Sequence, residues 1–129
     1  MKRTVMAELK QWKDDSRKKP LLIRGARQVG KTYTIRQLGK AFENFQEINF
    51  ELKPEAKNAF ERDLDPHRII RDLSIFTGKK ITPGKTLLFF DEIQEAPNAI
   101  KSIRYFYEMM PELHVVAAGS LLDFQLLTA

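Results

Sequence analysis

Eight residues, Gly25-Ala26-Arg27-Gln28-Val29-Gly30-Lys31-Thr32, restrict what this chain can fold into more than any other stretch. The four residues ahead of them, LLIR, are a short apolar run closed by glycine, the pattern of a buried strand. Behind them Ile35, Leu38 and Phe42 recur at i, i+3 and i+7, which predicts a helix over 32–42. A strand, a glycine loop and a helix in that order are the setting in which G-x-x-x-x-G-K-T binds phosphate. The glycines let the main chain curl so that successive N–H groups aim inward, and the helix adds its unpaired N-terminal N–H groups and positive dipole end. A lysine at a helix N-terminus is unfavourable unless an anion offsets it. Lys31 is therefore expected at the β- and γ-phosphates of a nucleotide, and the Thr32 hydroxyl on Mg2+. Arg27 either adds charge beside the phosphates or faces solvent. The whole stretch Gly25, Ala26, Arg27, Gln28, Val29, Gly30, Lys31, Thr32 and Tyr33 is the expected nucleotide-binding segment.

The second constraint is TLLFFDE, residues 86–92. A continuous apolar run that stops at two carboxylates is a strand covered on both faces, with its acidic pair at the C-terminal end. Asp91 suits the metal-holding aspartate of phosphate-loop proteins, often acting through water. Glu92, directly after it, is placed to accept a proton from water attacking a γ-phosphate. A third polar group is expected at the same sheet edge, from a strand lying between those that carry the glycine loop and the acidic pair. Ser120, after the strand-like run LHVVAA (113–118) and Gly119, either emerges there or caps a helix over 121–127. His67 and His114 read as surface or packing residues.

The remaining segments alternate in type. FQEINFE (45–51) reads as a strand, 54–62 and 66–76 as helices, and 97–110 as a helix with Ile100, Ile103, Tyr107 and Met110 on its buried side. The 66–76 helix has Asp65 as N-cap and proline at its first position, with Ile69, Ile70 and Leu73 inward. Residues 3–17 carry Val5, Met6, Leu9 and Trp12 at helical spacing, so 1–19 is expected to be an N-terminal helical segment ahead of Pro20. Alternating helices and near-continuous apolar strands predict an α/β fold, a parallel sheet between helical layers, in one domain over 1–129.

Composition narrows the classes further. No run approaches the length of a membrane span, cysteine is absent, and the first residues lack the apolar core of a secretory signal. A cytoplasmic protein with no membrane partner is the expectation. The net charge is +5, and residues 1–40 hold twelve of the 22 Lys/Arg but three of the 17 Asp/Glu. That basic third suits polyphosphate, nucleic acid or a solvated helix.

PLLIRGARQVGKT, TLLFFDEIQEAPNAI and HVVAAGSLL together resemble the ATPase core of AAA+ type ATP-binding proteins, over nearly the whole chain. The resemblance implies a phosphate-loop NTPase fold, a three-layer αβα sandwich whose sheet is ordered 5-1-4-3-2. Here the order is expected to be 1-4-3-2 with the fifth strand missing, since family members continue for a few hundred residues and this chain reads as a truncated core. It further implies ATP and Mg2+ as ligands, with Lys31 and Thr32 at the phosphates, Asp91 on the metal, Glu92 as base and Ser120 as first sensor. The implied partners are ATP and ADP, and the open sheet edge of a truncated core is expected to be either unpaired or paired to a second copy of the chain. Arg104 reads as an exposed helix arginine, or else as a finger for a neighbouring subunit. Two rival classes are a nucleotide-dependent switch acting on DNA through the basic third, and a kinase. Glu92 and the lack of an arginine-rich lid count against the kinase.

Overall fold

The computed structural model describes residues 11–14, 19–24 and 29–119, with the backbone alone at 24 and 29–31. Four strands, β1 (Leu21–Arg24), β2 (Asn44–Asn49), β3 (Thr86–Asp91) and β4 (His114–Gly119), form one parallel sheet in the order β1-β4-β3-β2. This is the expected order, with the strand that precedes the glycine loop at one edge. Besides the helical residues 11–14, the described residues form the helices α1 (Val29–Gly39), α2 (Pro66–Thr77) and α3 (Pro97–Met109) against the sheet.

Alternation along the strands divides the interior in two. Leu87, Phe89, Val116 and Ala118 meet Ile35 and Leu38 of α1. Leu88, Phe90, Val115 and Ala117 meet the opposite layer of α2, α3 and the 3-10 segment Pro54–Phe60. β3 and β4 are buried on both faces, as a central parallel strand must be. The three layers are thus those of an α/β sandwich.

The N-cap of α2 is as expected: Asp65 Oδ1 accepts from His67 N at 3.0 Å, and Pro66 occupies the first turn. The helix ends at Gly78, whose φ of 77° is the left-handed cap that glycine adopts without strain. Arg68, almost fully buried, donates to Asp63, Asp72 and the carbonyl of Ala59, joining α2 to the 3-10 segment.

Four expectations need correcting. Residues 54–60 wind as a 3-10 helix, because Ala56 and Ala59 repeat at the three-residue period of that form and both are buried. β2 stops at Asn49, whose Oδ1 accepts from the amides of Glu51 and Leu52 and turns the chain. α3 buries Ala99, Ser102, Ile103 and Phe106, leaving Tyr107 38% exposed. A ring already waits for Phe106 on the sheet, since Phe90 lies 6.3 Å away between centroids. Ile70 is only half-buried for the same reason of rotation about α2.

Of the N-terminal segment, residues 11–14 are helical, and the rest of 1–18 lies outside the described residues. Trp12 packs on the α1 side of the sheet, and its Nε1 donates to the carbonyl of Lys19 at 2.6 Å. His114 is buried edge-on against Trp12 and Phe42, a packing role as expected, while His67 is exposed. Among the described residues no helix is long and apolar enough to cross a membrane.

Candidate functional site

Parallel pairing puts the C-terminal ends of all four strands on one edge. The register joins Arg24 of β1 to Gly119 of β4, and Asn49 of β2 to Asp91 of β3. α1 begins at Val29, five residues after β1 ends, so its first turn starts from that same edge. That turn holds Val29, Gly30, Lys31 and Thr32, whose N–H groups have no partner within the helix. Gly25, Ala26, Arg27, Gln28 and Ser120 lie outside the described residues, as does the side chain of Lys31. Thr32 is half-buried, and Tyr33 is 50% exposed.

Asp91 follows Phe89 by two residues on β3, so both face α1. Burial pushes its carboxyl above the usual carboxylate value, and the charges of Glu92 and Glu47 push the same way. The Glu92 amide, donating to Asp91 Oδ1 at 2.9 Å, and the Arg36 guanidinium pull it down. Arg36 reaches from α1 to β2 through a two-pronged pair with Glu47, at 2.8 and 2.9 Å. The acidic edge is therefore crossed by a helix-borne cation, Arg36.

At Glu92 the backbone reverses. The residue is buried to 9% exposure and its φ is 52°, a left-handed conformation that costs a side-chain-bearing residue about 1–3 kcal/mol. This backbone reversal ends β3 and opens the short turn Ile93–Glu95. Gln94, in that turn, donates its amide Nε2 to Glu92 Oε1 at 2.7 Å. Neither Gln94 nor Glu47 was singled out from the sequence. The cue for Gln94 is its place two residues after a carboxylate that ends a buried strand, and nothing in the local pattern marks Glu47.

The donor set bears on a metal. Among the described residues no group of three or more His, Asp or Glu side chains gathers to hold an ion by itself. Thr32 and Asp91 offer one hydroxyl and one carboxylate. That sparse oxygen set suits Mg2+, which keeps several waters and draws its other ligands from substrate phosphates.

The AAA domain family matches residues 17–127. Six solved chains match significantly, among them PCH-2 of C. elegans, with a TM-score of 0.51 and 13% identity. That alignment covers 98% of this chain and 39% of the other, so this chain spans well under half the length of that relative. At such low identity the likeness shows the fold. No curated protein matches at the same significance.

Proposed function

The chain belongs to the AAA domain family, and from that membership we propose that it binds ATP with Mg2+ at the strand-end edge and hydrolyses it. Membership itself brings a nucleotide-dependent, ATPase-type function. The observation that carries the finer reading is the Asp91–Glu92 pair at the end of β3, Asp91 on the strand face towards α1 and Glu92 in a left-handed turn with its carboxylate bonded to Gln94. Adjacent acids in separate settings suit separate tasks.

In this reading the loop 25–30 and the first amides of α1 enclose the β-phosphate, and Lys31 neutralises the β- and γ-phosphates. Thr32 and Asp91 would hold Mg2+, which would neutralise negative charge developing on the phosphates. Glu92 accepts a proton from the attacking water as the water oxygen bonds to the γ-phosphorus. The bond from that phosphorus to the β–γ bridging oxygen breaks, giving ADP and phosphate. Ser120, next after β4, would contact the γ-phosphate or the water. The outer edge of β1 pairs with no described strand, which supports a partner strand there, such as one from a second copy of the chain.

Steady-state turnover tests the assignment. General-base catalysis contributes about 10²–10⁴-fold, so Glu92→Gln is expected to lower kcat by that order while ATP affinity holds. Unchanged turnover in Glu92→Gln would remove the proposed base.

A further inference from the structure

We infer that Gln94 is a positioning residue for Glu92, and that the absence of a side chain at Gly119 is what lets it act. This rests on the proposed hydrolytic reading and adds to it a contact between the ends of β3 and β4.

Three observations meet at one point. The Gln94 amide donates to Glu92 Oε1 at 2.7 Å, while Glu92 itself is held in a left-handed turn and nearly buried. At this reversal the Gln94 amide is one restraint on the Glu92 carboxylate. The same Gln94 side chain lies over Gly119, the last residue of β4. A Cβ built on Gly119 would sit 2.7 Å from Gln94 Oε1, 3.3 Å from Ile93 Cγ2 and 3.4 Å from the Gln94 amide nitrogen. The strand needs no glycine there for its backbone; the vacancy is filled by the Gln94 carboxamide. With Oε1 lodged against Gly119, the carboxamide presents its Nε2 to Glu92.

The geometry yields a reciprocal test. Gly119→Ala meets the movable tip of a side chain first, so it is expected to displace the Gln94 amide with little loss of stability. Losing the orientation of a general base while keeping the base is expected to cost about tenfold, a fraction of the 10²–10⁴ such a group contributes. Gln94→Ala should therefore lower kcat about tenfold, with KM for ATP and melting temperature nearly unchanged. Gly119→Ala should do the same. In the double variant the clashing oxygen is gone, so Gly119→Ala should add nothing to Gln94→Ala, a non-additivity that independent sites do not show. The Gln94 side-chain amide resonances supply a readout free of turnover: they should move in Glu92→Gln and in Gly119→Ala. Full additivity of the two kcat losses, or a Gln94 amide signal indifferent to both substitutions, overturns the inference. Turnover that survives Glu92→Gln removes the hydrolytic role instead, and leaves the amide signal to report on the contact itself.

Discussion

The two faces of the sheet are built differently. Beneath α2 and α3, nineteen buried residues form one continuous core among the described residues, against six beneath α1. The larger side holds Phe50, Phe60, Phe90 and Phe106, with ring centroids 5.6–6.3 Å apart along the chain of contacts through Phe90. The smaller side carries Asp91, Glu47 and Arg36 beside its apolar residues. Among the described residues one face supplies most of the packing, while the other holds a half-buried carboxylate whose proton affinity is raised by burial. The phosphate-binding role proposed for this edge would need such a face, because charge and main-chain amides must stay reachable there.

That contrast can be broken by truncation. Phe90→Ala is expected to cost about 3–5 kcal/mol, a large part of a typical domain's stability. Leu38→Ala, fully buried beneath α1, is expected near the lower end of the about 2–5 kcal/mol seen for such changes. Denaturant unfolding of the two variants measures both. Equal losses would mean that the faces share the stabilisation.

Asp91 sharpens the comparison next. Its folded carboxyl holds a proton more tightly than an unfolded aspartate, so ionising it opposes folding. The penalty is absent below the ordinary aspartate value of about 4 and is complete once pH exceeds the raised folded value. Asp91→Asn should therefore raise the melting temperature at pH 7.5 by about 3 °C, under about 1 kcal/mol after allowance for solvent screening, and give no gain near pH 4. A loss at neutral pH would place the stabilising contacts of Asp91 above its burial cost. The smallest effect belongs to Arg36→Ala. The Arg36–Glu47 pair is solvent-exposed on the arginine side, so its removal should cost about 0.2–1 kcal/mol by thermal melting. A much larger loss would show that α1 depends on this tether.

Much of this architecture was legible in the residues because its signals are local. LLIR, TLLFF and HVVAA read as strands without tertiary knowledge, and Asp65-Pro66 announced the start of α2. Sheet order came with the family resemblance, since no strand's pattern tells which neighbour it takes. Local periodicity failed where the partner surface decides. Phe106 and Tyr107 are adjacent and both aromatic, and tertiary packing, the Phe90 ring included, selects Phe106. The same holds at the site: Asp91 and Glu92 stood out as a pair, but the positive φ at Glu92 did not. Gln94 became visible only once Gly119, twenty-five positions away, was brought against it.

Calorimetric titration with Mg-ATP tests the central claim most directly, comparing the native sequence with Lys31→Ala. The account predicts saturable binding at one site per chain in the first and its loss, or a weakening of more than about tenfold (1.4 kcal/mol), in the second. Equal affinity in both, or no binding to the native sequence, would contradict it.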